Sequence, residues 1–446
     1  MTRFDPSGPL RGELRPPPDK SISHRAALIA AMSEGTVEIS GYLNAADTQS
    51  TRQAVQQLGA GAESSASDRS GAIDLRVEGI GLRGPGLHQD QGTQVIDAGN
   101  AGTLMRLLPG WLAGQERGEW VLDGDESIRR RPVDRVAEPL REMGAAVKCR
   151  EGRLPPLDVR GAALRGIAYR MPVASAQVKS CVLLAGLLAD GETRITEPAP
   201  TRDHTERLLS AWGANVQTEQ LRTLPTLGGG PARRITVQPA ERLTGSPLDV
   251  PGDFSSAAFM AVAATIVEGS RVRITGVGLN PTRVGLLGIL NRMGAALEVD
   301  EDPERFEPTG TIGALHGPLE ATRVHGEEVP LAIDELPLAA LLGCFANGTT
   351  IVSGAEELRH KESDRIATVV EGLRGLGAEI EATEDGFAVT GRGGLRGGRL
   401  DAHGDHRLAM LGAIAGLASR EGVEVEGMHA AAVSYPGFEA DLRALI

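Results

Sequence analysis

The chain has 446 residues, which is too long for one hydrophobic core and predicts at least two domains or a repeat array. Aromatic residues make up only 3% of it and glycines number 58, so the core must be built from Ala, Leu, Val and Ile. The net charge of -13 argues against a general surface for nucleic acid or anionic membrane, and any anionic ligand must be held in a local pocket.

The cysteines and the N-terminal segment indicate in which cellular compartment the chain is expected. Cys149, Cys181 and Cys344 lie far apart without metal-ligand spacing, which predicts neither a disulfide nor a metal site. The N-terminus lacks the apolar segment of a secretory signal, and no apolar run reaches the roughly 18 residues of a membrane span. We expect a cytoplasmic chain without metal, membrane or nucleic-acid partner.

The first predicted element is the apolar run "AALIAAM", which follows the polar stretch "PPPDKSISHR" and precedes a glycine and an alternating strand pattern. The same order recurs about every 73 to 83 residues, and the six glycines are Gly35, Gly118, Gly191, Gly269, Gly348 and Gly422. The runs before these glycines have almost no polar face, which predicts helices buried on all sides. Six related units therefore cover almost the whole chain.

A second signature follows in five of the units, as in "VQQLGAG", "LREMGAA" and "LNRMGAA". Each such segment predicts an amphipathic helix that ends at a glycine, where a left-handed cap is easiest, followed by a short strand. The unit is thus predicted as buried helix, strand, loop, amphipathic helix and strands. The chain is an α/β module used six times.

Each buried helix is preceded by a polar cluster: "PDKSISHR", "DAGNAGT", "VASAQVKS", "PGDFSS", "AIDELP" and "HGDHR". Helix capping accounts equally well for some of these polar residues, namely Asp253, Ser255 and Ser256. Capping does not require the side chains of Lys20, Arg25, Gln177 and Arg407. If six helix N-termini point into one cleft, their exposed donors and partial positive charge form an anion trap.

Two charged segments follow strands of the repeat. "GDESIRRRPVDR" concentrates Arg129, Arg130 and Arg131, and "ELRHKESDR" holds Arg359, Lys361 and Arg365 beside Glu357, Glu362 and Asp364. A charge run is more often a solvated helix face than a site, so each segment is open to both interpretations.

The motifs "PDKSISHR", "GNAGTLMR", "SAQVKS", "HKESDR" and "GDHR" occur in this order. Through them the chain resembles, over its full length, the 5-enolpyruvylshikimate-3-phosphate synthases, a family of enolpyruvyl transferases. The resemblance implies an α/β (α+β) fold of two domains, each with three βαβαββ-type units around buried helices. It implies one domain from residues 1–18 plus 252–446 and another from residues 19–251, with the active site in the cleft between them.

The resemblance implies transfer of the enolpyruvyl group of phosphoenolpyruvate to the 5-hydroxyl of shikimate 3-phosphate, with release of phosphate by addition and elimination. It implies no cofactor, and we expect a monomer. Shikimate 3-phosphate would be bound by Lys20, Ser21, Arg25, Ser175, Ala176, Gln177, Arg202, Asp334 and Lys361. Phosphoenolpyruvate would be bound by Lys20, Asn100, Gly102, Arg131, Gln177, Arg365 and Arg407.

The resemblance also implies catalytic roles. Lys20 would contact both substrates, and Asp334 would act as general base at the shikimate hydroxyls. Glu362 would donate a proton to the methylene carbon of phosphoenolpyruvate, provided that its surroundings keep it protonated. His406 is expected to be a packing residue, because the base role is already filled.

The chain departs from the family pattern in places. Val433 stands where many members have a lysine in the last motif, a pattern associated with the second class of the family. Glu357 stands where some members have an asparagine that contacts shikimate, which puts that contact in doubt. Gly102 is retained, and because alanine there is linked to glyphosate tolerance, we expect sensitivity to glyphosate.

Two alternatives stay open. The sister enzymes that transfer enolpyruvyl to UDP-N-acetylglucosamine expect a Lys-Asn pair and a loop cysteine, whereas Lys20 is followed by Ser21 and "GDESIRRRP" has no cysteine. A non-catalytic anion sensor on the same fold would lose its acid and base first. The presence of both Asp334 and Glu362 favours an enzyme.

Overall fold

The computed structural model describes residues 1–85, 92–221, 232–302, 306–326 and 328–446. These residues form two compact units. The continuous unit is Pro18–Val250, and the discontinuous unit combines Met1–Pro17 with Pro251–Ile446. The chain passes between the units at prolines, whose fixed φ and missing N–H keep a helix or strand from running through.

The chain begins in the discontinuous unit with two short strands, β1 (Thr2–Phe4) and β2 (Arg11–Leu14). The first repeat then supplies α1 (Lys20–Met32), β3 (Glu34–Leu43), α2 (Ala46–Gln57), β4 (Gly61–Ala66) and β5 (Ala72–Ile80). The second repeat contains β6 (Gln94–Asp97), α3 (Gly102–Ala113), β7 (Glu119–Asp123), α4 (Asp134–Met143), β8 (Ala146–Arg150) and β9 (Leu154–Arg160). The third contains β10 (Ala168–Arg170), α5 (Ala176–Gly186), β11 (Thr193–Glu197), α6 (His204–Ala211), β12 (Val216–Gln220) and β13 (Arg233–Val237).

The continuous unit ends with β14 (Leu248–Asp249). The fourth repeat contains α7 (Phe254–Ile266), β15 (Arg271–Gly278), α8 (Gly285–Arg292), β16 (Ala296–Asp302) and β17 (Thr309–Leu315). The fifth contains β18 (Arg323–Val324), α9 (Val329–Ala332), α10 (Leu336–Phe345), β19 (Thr349–Val352), α11 (Arg365–Gly375), β20 (Glu379–Ala382) and β21 (Phe387–Thr390). The sixth contains β22 (Gly398–Asp401), α12 (His406–Ala418), β23 (Val423–Glu426) and α13 (Phe438–Ala444).

Each sheet in the described part of the chain joins a parallel pair of strands to antiparallel partners, as in the order β6-β7-β9-β8. The strand that precedes the first repeat in the chain pairs in the sheet of the fourth repeat, and the strand that precedes the fourth repeat pairs in the sheet of the first. β2 pairs in parallel with β15, where Arg11 lies opposite Arg271, and β14 pairs in parallel with β3, where Leu248 lies opposite Ile39. The predicted α/β fold of repeated βαβαββ-type units is confirmed.

The sixth repeat departs from this pattern. In place of an amphipathic helix followed by two strands, it ends with the 3-10 helix Met428–Val433 and α13. Its three-stranded sheet is completed by β1 from the start of the chain, with Phe4 opposite Val423. This explains why the second sequence signature is found in only five of the six repeats.

The helices predicted to be apolar all round form the cores of the two units. α3 packs against α1 and α5 in the continuous unit, and α7, α10 and α12 pack against one another in the discontinuous unit. Every residue of α7 is buried. The approach of α3 to α5 requires a glycine, because a Cβ on Gly110 would lie 2.2 Å from the carbonyl oxygen of Cys181. Small residues therefore replace aromatic side chains as the means of close packing.

The outer helices end as predicted. The glycine that follows each of the five amphipathic helices has a φ between 79° and 115°, the left-handed region that favours glycine, and these glycines are Gly59, Gly144, Gly213, Gly294 and Gly377. All three cysteines are free thiols. Among the described residues, the helices fall short of the length and apolarity that a membrane crossing requires.

Candidate active site

Lys20 opens the core helix α1. The side chain of Asp19 caps this helix by accepting a hydrogen bond from the backbone N–H of Ile22 at 2.8 Å. The ammonium group of Lys20 lies 3.1 Å from Oδ2 of Asp47, which is 5% exposed and belongs to the first turn of α2. Sequence reasoning missed Asp47, because an acidic residue in the first turn of an outer helix looks like an ordinary dipole partner.

Arg25 is buried one turn further along α1. Its Nε donates to Oγ1 of Thr205 at 2.7 Å, its Nη2 to Oγ of Ser180 at 3.0 Å, and its Nη1 to the carbonyl of Ser21 at 3.0 Å. The neighbouring His24 is also buried, and burial, assisted by the positive charges of Lys20 and Arg25, holds the pKa of its imidazole well below the usual value. The histidine is therefore neutral at pH 7, and the positive charge of this turn comes from Lys20 and Arg25.

The N-terminus of α3 is bordered by two guanidinium groups. A Cβ on Gly102 would lie 3.2 Å from Nη1 of Arg131 and 3.3 Å from Nη1 of Arg106, which we call the arginine pair. Asn100 accepts from Arg131 at 3.4 Å, and the N-cap residue, Ala101, has no side chain that can cap the helix. An uncapped helix N-terminus beside two guanidinium groups fits an anion, because both features supply N–H donors and positive charge.

Gln177 lies in the first turn of α5 and is held by residues of α3. Its amide oxygen accepts from Nη1 of Arg106 at 3.0 Å, and its amide nitrogen donates to Oγ1 of Thr103 at 3.2 Å. Sequence reasoning missed Arg106 as a site residue, although it stands in the motif "GNAGTLMR". The available signal was its spacing, because a residue four positions after Gly102 lies on the same face of the helix.

The remaining predicted residues of the continuous unit border α5 and α6. Ser175 caps α5 through the N–H of Val178 at 3.4 Å, and Ala176 is the first residue of that helix. Arg202 is half-buried in the loop before α6. The continuous unit thus holds predicted residues at the start of α1, α3 and α5, together with Arg131, whose side chain reaches Asn100 at 3.4 Å, and we call this set the cationic cluster. Its members are Lys20, Ser21, Arg25, Asn100, Gly102, Arg131, Ser175, Ala176 and Gln177.

The discontinuous unit brings the predicted acid and base together on one guanidinium group. Nη1 of Arg365 lies 3.2 Å from Oδ1 of Asp334, and its Nη2 lies 2.6 Å from Oε2 of Glu362. The ammonium group of Lys361 lies 3.4 Å from Oδ1 of Asp334. Asp334 precedes α10 and Arg365 begins α11, so residues 31 positions apart in the chain meet at two helix N-termini. These four residues form the acid–base cluster.

Asp405 lies behind this cluster and is fully buried. Its carboxylate accepts from Nε of Arg365 at 2.8 Å and from Nη2 at 3.2 Å, and it also caps α12 through the N–H of Arg407 at 2.9 Å. Burial alone would lower the pKa of the Arg365 guanidinium, but the charges of Asp405, Glu362 and Asp334 raise it. Burial alone would raise the pKa of Asp405, but the charge and hydrogen bonds of Arg365 and the charge of His406 together outweigh it, so that pKa lies below its usual value. Both groups are therefore charged at neutral pH.

Arg407 is anchored by groups that sequence reasoning did not assign. Its Nη1 donates to the carbonyl of Asp334 at 2.9 Å, and its Nη2 donates to Oγ of Ser255 at 3.0 Å. Glu335, which is fully buried, lies 3.4 Å from Nη1 of Arg407 and 3.1 Å from Nη1 of Arg283, and it accepts from the hydroxyl of Ser255. Of the two interpretations of "PGDFSS", capping applies to Asp253, which accepts from Ser256, whereas Ser255 serves the guanidinium groups.

Some residues of the two charged segments only pair with nearby carboxylates, while others belong to the clusters described above. Arg129 pairs with Asp123 at 2.6 Å, and Arg359 pairs with Asp364 at 2.9 Å, so both act as partners of nearby carboxylates. The departures from the family pattern both lie on 3-10 helices: Glu357 in Glu356–His360, and Val433 at the end of Met428–Val433. Val433 carries no charge, so the cationic contact that many family members make from this position is either missing or supplied from elsewhere in the chain.

Comparison with known proteins shows which family the chain belongs to. Residues 4–442 match the family model described as EPSP synthase (3-phosphoshikimate 1-carboxyvinyltransferase). The chain is 48% identical over 446 residues to the 3-phosphoshikimate 1-carboxyvinyltransferase of Thermus thermophilus, covering 99% of this chain and 97% of that protein. It is 45% identical to the enzyme of the same name from Parasynechococcus marenigrum, covering 98% and 95%.

Solved structures show the same likeness. An EPSP synthase from Acinetobacter baumannii superposes with a TM-score of 0.83 at 39% identity, over 99% of this chain and 97% of that one. The enolpyruvyl transferase NikO from Streptomyces tendae, at 17% identity and a TM-score of 0.74, shares the fold. The family match and the relatives extend over nearly the full length and confirm the motif-based prediction. The chain therefore belongs to the EPSP synthase family.

Proposed function

We propose that this chain transfers the enolpyruvyl group of phosphoenolpyruvate to the 5-hydroxyl of shikimate 3-phosphate, giving 5-enolpyruvylshikimate 3-phosphate and phosphate. Membership of the family supports the reaction. The structural observation that carries the proposal is the acid–base cluster, in which Asp334 and Glu362 both contact Arg365. A protein that only senses anions has no need for two carboxylates beside the cation.

The cationic cluster is proposed to bind phosphate groups. Lys20, Ser21, Arg25, Ser175, Ala176, Gln177 and Arg202 are assigned to shikimate 3-phosphate, with Lys20 also contacting phosphoenolpyruvate. The arginine pair and the uncapped N-terminus of α3 support an anion site at Gly102, which we assign to phosphoenolpyruvate. The proposal requires both clusters to contact the same pair of substrates.

The addition step is assigned to the acid–base cluster. Asp334 takes the proton of the 5-hydroxyl, and the hydroxyl oxygen forms a bond to C2 of phosphoenolpyruvate. At the same time Glu362 gives a proton to the methylene carbon, C3. In the elimination step the Glu362 carboxylate takes a proton from C3, the double bond between C2 and C3 re-forms, and the bond between C2 and the phosphate oxygen breaks. The leaving phosphate takes the proton held by Asp334, so both carboxylates return to their starting state. Arg365 and Arg407 would hold the carboxylate and phosphate of phosphoenolpyruvate, since guanidinium groups bind such anions in bidentate geometry.

The ion pair between Glu362 and Arg365 has a consequence for this assignment. At 2.6 Å the guanidinium of Arg365 occupies Oε2 of Glu362, the group assigned to give the proton. The carboxylate of phosphoenolpyruvate would compete for Arg365 and release Glu362 from this pair. We therefore expect the binding of phosphoenolpyruvate itself to free Glu362 for its role as proton donor.

The test measures phosphate release from phosphoenolpyruvate with shikimate 3-phosphate or UDP-N-acetylglucosamine as acceptor, for the wild type and for Asp334→Asn. Release with shikimate 3-phosphate alone, nearly abolished in the variant while shikimate 3-phosphate still binds, supports the proposal. Release with UDP-N-acetylglucosamine would favour the sister activity. Release with neither acceptor, despite binding of shikimate 3-phosphate, would favour the sensor.

Three further properties complete the proposal. Glyphosate should inhibit turnover, because Gly102 is retained, and full activity at high glyphosate with low phosphoenolpyruvate would contradict this. The monomeric state and the cytoplasmic location stay predictions from the sequence. Light scattering in solution measures the first, and fractionation of the producing cell measures the second.

A further inference from the structure

Two buried hydroxyl groups lie behind Arg25 and have no part in the proposed chemistry. Ser180 of α5 is 0% exposed and Thr205 of α6 is 1% exposed. Thr205 Oγ1 lies 2.7 Å from Nε of Arg25, Ser180 Oγ lies 3.0 Å from Nη2, and the two hydroxyl oxygens lie 2.7 Å from each other. We call these two residues the hydroxyl pair.

The hydrogens of the hydroxyl pair are fixed by their surroundings. Ser180 Oγ donates to the carbonyl of Ala176 at 2.7 Å, which uses its only hydrogen. Thr205 must therefore donate to Ser180, because Ser180 has no second hydrogen to give. A guanidinium group only donates, so both oxygens accept from Arg25. The bonds run in one direction, from Arg25 through Thr205 and Ser180 to the first turn of α5.

A buried ion cluster joins the same two helices at the adjacent positions. Lys179 precedes Ser180 in α5, Glu206 follows Thr205 in α6, and their charged groups lie 2.8 Å apart. Lys179 also lies 3.0 Å from Oε2 of Glu197, which is fully buried. An ion pair and a hydroxyl bond at consecutive positions hold α5 and α6 against each other. The acceptors of Arg25 therefore sit on a rigid base.

We propose that Ser180 and Thr205 are positioning residues that hold the Arg25 guanidinium in the orientation that binds shikimate 3-phosphate. The inference rests on the proposed function for the identity of that ligand. An arginine side chain that moves freely loses rotamer entropy when it binds an anion. The side chain of Arg25 has already lost this entropy on folding, so binding costs less. The same chain of bonds ends at Ala176, so it aligns Arg25 with the first turn of α5.

Steady-state kinetics of Thr205→Val, Ser180→Ala and Thr205→Ser test the proposal. Valine keeps the shape of threonine but removes the acceptor of Arg25 Nε and the donor to Ser180. We expect the KM for shikimate 3-phosphate to rise ~10- to 100-fold, the range for a lost hydrogen bond to a charged group. The KM for phosphoenolpyruvate should stay close to wild type. Thr205→Ser keeps the hydroxyl and should restore most of the affinity.

The matched control is Thr265→Val, because Thr265 is fully buried and its hydroxyl donates to the carbonyl of Ala261, away from any predicted site residue. Equal effects of Thr205→Val and Thr265→Val on the KM for shikimate 3-phosphate would overturn the proposal, as would a failure of Thr205→Ser to restore affinity. If Thr205→Val does not fold, the KM of Ser180→Ala for shikimate 3-phosphate is compared with that of Thr205→Ser and of Thr265→Val instead.

Direct binding of shikimate 3-phosphate, measured by calorimetry, separates this inference from the proposed function. A wild type that binds the ligand without releasing phosphate would refute the enzyme assignment, and the variants would still be compared by their Kd. A wild type that turns over, with Kd unchanged in Thr205→Val, would refute the positioning role alone.

Discussion

Removal of the Asp405 carboxylate should be among the most damaging single changes in the discontinuous unit. This fully buried group both caps α12 and neutralises Arg365, which is 1% exposed. An N-cap contributes about 1 kcal/mol, and a buried guanidinium that loses its counter-ion costs ~3–5 kcal/mol. Because Asp334 and Glu362 still contact Arg365, the lower end of that range applies. We expect Asp405→Ala to cost about 4 kcal/mol of unfolding free energy.

Asp405→Asn divides this cost into its parts. The amide oxygen still caps α12, so only the charge is lost, and we expect a cost of about 3 kcal/mol. Asp364→Ala is the matched control, because Asp364 caps α11 through the N–H of Ala367 at 3.1 Å, while its side chain is 38% exposed and its partner Arg359 is also solvent-accessible, so the ion pair adds little. Its loss should cost about 1 kcal/mol.

Urea denaturation followed by circular dichroism measures these values, with one transition fitted for each unit because two compact units need not unfold together. The pKa of Asp405 lies below its usual value of 3.8, so its stabilising charge is present above that pH and is lost as the pH falls through its native pKa. The gap between wild type and Asp405→Asn should therefore shrink only in acid. A gap under about 1 kcal/mol at pH 7 would refute the reasoning.

Three further changes test other parts of the structure. Gly102→Ala places a Cβ 3.2–3.3 Å from the arginine pair, so its guanidinium ends must shift and the KM for phosphoenolpyruvate should rise, while an unchanged KM in steady-state assays would contradict this. Asp47→Asn removes the partner of Lys20 at 3.1 Å and should lower kcat/KM by roughly 10-fold, whereas full activity would show that Lys20 is held without it. Burial raises the pKa of Glu206 above 4.5, so the native chain binds an extra proton there and its stability falls as the pH rises through the native pKa. Glu206→Gln should flatten that fall in melting curves recorded in steps upward from pH 4.5, and an unaltered slope would exclude Glu206 as its source.

The candidate site was accessible from the sequence only where a residue stands in a recognisable motif. Lys20 and Arg407 lie at the starts of core helices and Arg365 at the start of an outer helix, and the motif order identified them. Asp47 has ordinary neighbours in sequence, and Glu335 stands in the cluster "AIDELP" without a distinguishing signal of its own, so their importance comes from what they touch. Asp47 meets a lysine 27 positions away, and Glu335 meets a guanidinium 72 positions away. No local pattern encodes such a pairing.

The sequence by itself determined the repeat, the buried helices and their glycine ends. These features are local, because a helix period and a left-handed cap depend on residues within a few positions of one another. The tertiary structure alone decided that β2 pairs with β15 and that β14 pairs with β3, since strand pairing is set by where the chain crosses between units. It also decided that Arg25 rests on Thr205, 180 positions away, because buried hydrogen bonds form between whichever groups packing brings together.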